Sequence, residues 1–466
     1  MPEAGYTAIH MKPLKLFEDR SFYTNLFAIA TPIMLQSLVN ASVNMLDTVM
    51  VGRLGTVEIA AVGLGNQVFF LYTMILFGIS SGGAVFTAQF WGKRDLAGIR
   101  RTMGLCLVLS LAVALVFVLA SAISPAAVIG LYSTDAAVVA SGAAYLRALA
   151  PSFAFFAVSF VFTLIMRSVE RVRLPMVATF ISLSINLVLN YCLIFGVGPI
   201  PPMGVVGAAT ATVIARVVET AVLVGVSYRR RYVFACGPRD LFGFDAAFVR
   251  GFLRIAFPVI VNELLWAVGV TTQNVIFART STYAIAAFNI TNTISQLTWV
   301  FFMGLGNGAA VLIGKKIGEG SEGKAREYAG AITRFAPLSA VFFALFLIPL
   351  SWTLPFLFKA DPAVFAIIDG MFIILALSYP FRAFNMAMII GVCRAGGDTI
   401  FCVVYDVLFM WTLSLPAAAA ASFIFGAPVW VVYLCVALEE PAKMLLGLWR
   451  LKSGKWLRNV TRIAHG

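Results

Sequence analysis

Twelve runs of mostly apolar residues, each long enough to cross a bilayer as a helix, follow one another along the chain. They lie at residues 22–50, 57–90, 102–124, 137–166, 174–197, 203–228, 252–278, 283–314, 329–356, 364–393, 400–424 and 428–450. A spanning helix needs about 20 such residues, because the hydrocarbon layer is about 30 Å thick and each residue rises about 1.5 Å. Inside that layer no water satisfies the backbone, so a run of this length closes its own hydrogen bonds as a helix. Only 12% of the 466 residues are charged and 61% are apolar or aromatic. That composition excludes an ordinary soluble enzyme, in which about 25% are charged. The predicted fold class is an all-α membrane protein of twelve transmembrane helices, with no room for a sizeable soluble domain.

The cations sort the loops between them. Of 34 Lys and Arg residues, 27 fall in the N-terminal segment, the loops after spans 2, 4, 6, 8 and 10, and the C-terminal segment. Three (Arg53, Arg279, Lys359) fall in the opposite loops, and four (Arg147, Arg216, Arg382, Lys443) lie within or near spans. This alternation follows the positive-inside rule and predicts a plasma-membrane or inner-membrane protein with both termini cytoplasmic. The net charge of +13 is then a topology signal, and no nucleic-acid partner is expected. Residues 1–21 are polar and run straight into the first span, which reads as a cytoplasmic segment before a retained helix rather than a cleaved signal. The six cysteines (Cys106, Cys192, Cys236, Cys393, Cys402, Cys435) form no C-x-x-C pair, and the two histidines lie near the chain ends. No metal or haem signature is legible.

An internal repeat halves the chain. A shift of 226 aligns residues 29–104 with 255–330 without a gap, about 20 of 76 positions being identical. Pro32 falls on Pro258, Arg53 on Arg279, Asn66 on Asn292, Gly78 on Gly304, Gly82 on Gly308 and Gly92 on Gly318. Each copy holds six spans, an even number, so both enter the membrane from the same side. Such a parallel repeat has its axis along the membrane normal, and transporters built this way bind substrate between halves that rock against each other. The expected domains are an N-terminal lobe at 1–228, a linker at 229–250 carrying Arg229-Arg230-Arg231, and a C-terminal lobe at 251–466.

Polar side chains inside the spans are the candidate site. Span 1 carries Gln36, Asn40, Asn44 and Asp47 at helical spacing, on one face. A carboxylate in lipid costs about 2–3 kcal/mol or more, so this stripe should meet a wet cavity or a partner helix. The bland alternative for Asp47 is interfacial water at a helix end. On span 5, Asn186 and Asn190 stand one turn apart; they read either as interhelical amide contacts or, with Asp47 and Thr212 of span 6, as an oxygen-rich site for a proton or small hard cation.

In the second half, Glu263 lies beside Trp266 on span 7, with Asn274 further along; span 8 adds Asn289, Asn292 and Gln296. Glu263 could exchange a proton or pair with an organic cation beside the aromatic ring. Asp406 on span 11 reads equally as a transport group or as a structural partner of Arg382 or Arg394. Arg216/Glu219 and Glu439/Glu440/Lys443 are spaced for salt bridges within or between helices. Pro32 and Pro258 each predict a break near one end of their spans, as a kink or as paired hinges.

Several chemistries are missing from the sequence. Gly308 to Gly314-Lys315-Lys316 superficially suggests a phosphate loop, but the spacing is one residue off and Ser/Thr is lacking. No H-E-x-x-H and no nucleophile elbow are present. An enzyme is therefore not expected, and transport would be driven by an ion or substrate gradient.

With Pro32 and Met45-Leu46-Asp47-Thr48-Val49-Met50-Val51-Gly52 in span 1, the chain resembles the multidrug and toxic compound extrusion (MATE) family. Gly204-Val205-Val206-Gly207-Ala208-Ala209-Thr210-Ala211-Thr212 opening span 6, Ala256 to Trp266 in span 7 and Arg394-Ala395-Gly396-Gly397-Asp398-Thr399 before span 11 match in the same order. The resemblance implies two six-helix lobes around a central cavity. It also implies export of organic cations or drugs in exchange for Na+ or H+, with no further cofactor. Asp47 matches the family's span-1 carboxylate, implicated in ion coupling, and Asn186 and Asn190 match its span-5 polar pair. Two departures stand out. The DinF-like branch usually has Asp where this chain has Asn190, and NorM-like members carry the span-7 acid about one turn deeper than Glu263.

The expectation is thus an antiporter coupled through Asp47 and Glu263, with Asp406 third, working as a monomer among membrane lipids. The alternative is a flippase for a lipid-linked saccharide, whose cavity should present clustered Arg or Lys to phosphate.

Overall fold

The computed structural model describes residues 19–235, 237–351, 353 and 361–465. Lys359, Cys236 and the segment 1–18 lie outside the described residues, as do most of the residues of span 9 beyond Ser351. Helices account for nearly all of what is described: α1 (Arg20–Gly52), α2 (Thr56–Lys93), α3 (Leu96–Ile123), α4 (Ala136–Ser168), α5 (Arg173–Phe195), α6 (Gly204–Arg229), α7 (Ala246–Thr280), α8 (Thr282–Gly318), α9 (Glu322–Ser351), α10 (Pro362–Arg394), α11 (Thr399–Ile424) and α12. The last comes in two pieces, Val429–Ala437 and Glu439–Ser453.

Short polar side chains in the loops start these helices. Asp95 accepts from Gly98 N at 2.9 Å, Asp245 from Phe248 N at 2.8 Å and Ser281 from Ala284 N at 3.0 Å. Each satisfies one amide that the first helical turn leaves without a partner. Eleven of the helices are long and apolar enough to cross a membrane. The twelfth is interrupted at Leu438, and its second piece carries Glu439, Glu440, Lys443, Arg450 and Lys452. Pro441 explains the interruption: it has no N–H to give the carbonyl one turn back, at Ala437. Pro32 and Pro258 behave otherwise. Neither helix ends there, and α1 and α7 run through their prolines as continuous helices.

The first six helices pack chiefly on one another, with α4 central against α2, α3 and α6, and α5 against α6 and α1. The second six repeat the scheme, α10 lying against α8, α9 and α12 while α11 packs on α7. Together they form the twelve-helix, two-lobe architecture. Between lobes, α2 meets α7 and α8, and α1 meets α8.

The contacts between lobes cluster at the ends bearing the Lys/Arg-rich loops, here termed the basic face. There repeat-related glycines let backbones touch. A Cβ on Gly92 would sit 2.0 Å from Lys315 O, and one on Gly318 would sit 1.9 Å from Gln89 O. The motif that superficially suggested a phosphate loop is part of this seam: Gly308 packs on Leu26 and Ala30, and Gly314 on Ala88. Toward the opposite face, α1 and α8 leave Met45, Val49, Tyr283 and Trp299 exposed, and the lobes part.

The chain's last segment locks the basic face. Gln89 of α2, fully buried, donates to Ala395 O at 3.0 Å and Arg458 O at 3.1 Å, and accepts from Val460 N at 2.8 Å. Trp456 and Val460 are buried too, Val460 among the apolar residues of the first lobe. The C-terminal segment thus crosses from the second lobe onto the first.

Candidate functional site: half-buried carboxylates in two lobes

Asp47 sits near the end of α1 away from the basic face, where α5 and α6 close around it. Asn190 Nδ2 donates to its Oδ1 at 2.6 Å and to Asn186 Oδ1 at 3.3 Å. Asn186 Nδ2 donates in turn to Thr212 Oγ1 at 3.4 Å. One turn of α5 separates the two asparagines, so a single helix face delivers both amides. The four residues singled out in spans 1, 5 and 6 are brought together by the fold. No ion pair to Asp47 is found among the described residues. Moreover, Asn190 Oδ1 is buried and receives no hydrogen bond. One carboxylate and neutral oxygens, one of them lacking a donor, can hold a proton or a small monovalent cation. No cluster of three His, Cys, Asp or Glu able to hold a metal ion occurs among the described residues.

The polar face of α5 continues toward the basic side. Thr179 donates to Glu219 Oε1 at 2.8 Å and accepts from Gln36 Nε2 at 2.7 Å, while Gln36 Oε1 accepts from Arg167 Nη2 at 2.7 Å. Arg216 closes the chain on Glu219 Oε2 at 2.7 Å. Gln36 is therefore buried in this relay, apart from the open cleft, whereas Asn40 is half-buried and Asn44 exposed.

In the second lobe every candidate acid is paired. Glu263 takes a charge-assisted bond from Arg394 Nη2. Asp406 accepts from Lys443 Nζ at 3.0 Å and from Asn262 Nδ2 at 3.2 Å, and Lys443 also reaches Glu439 at 3.4 Å. Asp406 is thus bound to Lys443, and neither Arg382 nor Arg394 is its ion-pair partner; Arg382 faces Glu440 instead, at 3.4 Å. Trp266 stacks with Trp299 of α8, ring centroids 6.3 Å apart. Asn274 is taken up by its own helix, donating to Val270 O at 2.9 Å. Asn289 and Gln296 are exposed and Asn292 half-buried, so α8 offers polar groups without assembling them into a cluster.

Three residues escaped the sequence reading, and a fourth was given another role. Arg167 was absorbed into the count of basic-loop cations and Arg394 was read as a possible partner of Asp406, yet both line one cavity between the lobes. Glu170 bridges the lobes to Lys315 at 2.8 Å. Gln89 carries no signal beyond being a polar residue in an apolar span.

The MatE family profile matches the chain twice, at residues 32–192 and 258–420. The chain belongs to the MATE family. The two matches begin 226 residues apart, which is the register of the internal repeat. Relatives match over most of its length. A probable multidrug resistance protein NorM of Thermotoga maritima is 24% identical over 92% of each chain. The NorM of Rhizobium meliloti, also named as a probable multidrug resistance protein, is 26% identical over 93% of this chain and 94% of its own. Bacillus subtilis YisQ, an uncharacterized transporter, is 25% identical over 96% and 97%. Among solved structures, a MATE transporter in complex with MaL6 superimposes with a TM-score of 0.85 at 19% identity, covering 93% of this chain and 97% of that one. An outward-facing multidrug resistance MATE transporter gives 0.82 at 20% identity, with the same coverage. This MATE chain is accordingly an integral membrane transporter of the two-lobe fold.

Proposed function

We propose that this protein is a secondary antiporter that exports organic cations or drugs across the cytoplasmic membrane in exchange for Na+ or H+. The basic face is read as cytoplasmic, with both termini on that side, and the lobes, residues 1–228 and 251–466, rock about the cleft. The names of the NorM relatives support the substrate class. The observation that carries the coupling mechanism is the contrast between the lobes: Asp47 accepts from the Asn190 amide and makes no ion pair among the described residues, whereas Glu263 and Asp406 are matched by Arg394 and Lys443. An acid without a direct ion-pair partner gains most from a proton or cation. Asp47, supported by Asn190, Asn186 and Thr212, is thus the main coupling group, and Glu263 and Asp406 contribute through their ion pairs.

The cycle follows from that asymmetry. Ion entry from outside neutralises Asp47 and weakens the hold on a cationic substrate, which leaves outward. A ligand moves the lobes only by the difference in its affinity for the two states, so ion and substrate must compete for the same negative field. Pro32 and Pro258, inside continuous helices at matching points of the repeat, are the proposed bending points.

The lipid-linked saccharide flippase is favoured by one feature, the arginines at the lobe interface. One of the two is already neutralised by Glu263, which leaves a single positive charge against a diphosphate, so the cation antiporter is the better-supported reading. Uptake of a fluorescent organic cation into proteoliposomes under imposed Na+ or pH gradients tests it. Gradient-dependent transport is expected, and its absence across a panel of cations would move the flippase ahead.

A further inference from the structure

The repeat places one arginine at the end of the fourth helix of each lobe, Arg167 on α4 and Arg394 on α10. Each donates to the first helix of its own lobe, Arg167 to Gln36 and Arg394 to Glu263. The partners occupy neighbouring positions of the repeat, since Gln36 aligns with Asn262. Their charges differ, however, and the difference matters. Arg394 is neutralised, while Arg167 faces a neutral amide and makes no ion pair among the described residues. The next carboxylate along its relay, Glu219, is already taken by Arg216.

Both arginines line the same cavity of about 40 Å³ between the lobes, with Phe77 and Ser81 of α2, Ser168 of α4 and Asn307 of α8. The Arg394 guanidinium also lies over the Phe77 ring across the interface, 5.5 Å from its centroid. On both arginines Nε is buried and without a hydrogen-bond acceptor, although a buried charged donor left unsatisfied is costly. With Glu263 counted, the cavity carries one net positive charge and at least two unused donors. Its volume suits a few waters or one carboxylate.

We propose that this cavity is an anion site, sized for a carboxylate or halide, which bridges the lobes at the floor of the cleft. An anion there would accept from Arg167 and Arg394 together and relieve the repulsion between two guanidiniums brought close when the basic face closes. It would therefore favour the state with the basic ends in contact. The acceptor could be a free small anion or the acidic end of a zwitterionic substrate. Its site is distinct from the coupling carboxylate, since Gln36 and Asp47 are eleven residues apart on α1, or roughly 16 Å.

The test uses the full-length protein in lipid nanodiscs, spin-labelled at the exposed positions Ala97→Cys and Lys324→Cys beyond α2 and α8, with other reactive cysteines replaced. Distances across the basic face are measured with HEPES as sole anion, then with acetate, then with γ-butyrobetaine and its methyl ester. Acetate should raise the short-distance population at millimolar concentration, and Arg167→Gln should raise the concentration needed at least tenfold. Arg167→Lys, which keeps the charge, should retain most of the response, and this separates anion binding from mere loss of packing. A response to the betaine but not its ester, at concentrations where acetate is inert, would place the anion on the substrate. A response to acetate would make it a free ion. No response of the wild type to any of these probes, or an unchanged response in Arg167→Gln, would overturn the proposal, whatever the coupling ion proves to be.

Discussion

The two lobes treat similar carboxylates differently, and the difference lies in single neighbouring side chains. Asp47 is held by an amide at 2.6 Å, a bond to a charged group of the kind worth about 1.5–3 kcal/mol. Asn190→Ala removes a bond that favours the charged acid, so under a pH gradient half-maximal transport should need roughly 10- to 100-fold less H+, with little change in folding. Lys443 is the opposite case. Its side chain is 5% exposed and is shared between Asp406 and Glu439. Lys443→Met would leave those acids buried without their cation, a loss of about 3–5 kcal/mol, and thermal unfolding in detergent should show a clearly lowered midpoint. At this scale the sequence was half legible. Helical spacing found Asp47, Asn186, Asn190 and Thr212, because neighbours on adjacent helices show as polar residues in apolar runs. It found the local pairs Arg216–Glu219 and Lys443–Glu439 but not the distant ones, since Lys443–Asp406 and Arg394–Glu263 join residues 37 and 131 positions apart.

Among the helices, α2 and α8 decide how the lobes meet. The spans were readable as long apolar runs, and even the interruption of α12 has a local cause in Pro441. The continuity of α1 and α7 through Pro32 and Pro258 was not readable, because a proline in an apolar run fits a broken helix and a continuous one alike. The close approach at Gly92 and Gly318 was visible only as paired glycines in the repeat. Gly92→Val would place a branched side chain where Lys315 O now lies 2.0 Å from a Cβ position. The basic ends should then be held apart, with longer distances between labels at positions 97 and 324 and transport reduced at least tenfold. Unchanged distances would remove the glycines from the closing contact. The C-terminal segment acts on the same seam through Gln89, whose side chain serves three backbone groups at once.

For the whole molecule, duplication accounts for the architecture: six helices twice, entering from the same side, with a family match to each copy. What duplication leaves different is the charge on each lobe. The first lobe keeps Asp47 among amides, and the second carries its acids as ion pairs. Alternating access then needs one lobe to change charge with its ion while the other stays balanced. The most direct test is uptake of a fluorescent organic cation by proteoliposomes under an imposed Na+ or pH gradient, comparing wild type, Asp47→Asn and Glu263→Gln. Gradient-driven uptake should vanish in Asp47→Asn and persist, though weakened, in Glu263→Gln. Full gradient coupling in Asp47→Asn, with loss in Glu263→Gln, would contradict the assignment and move the coupling site to the second lobe.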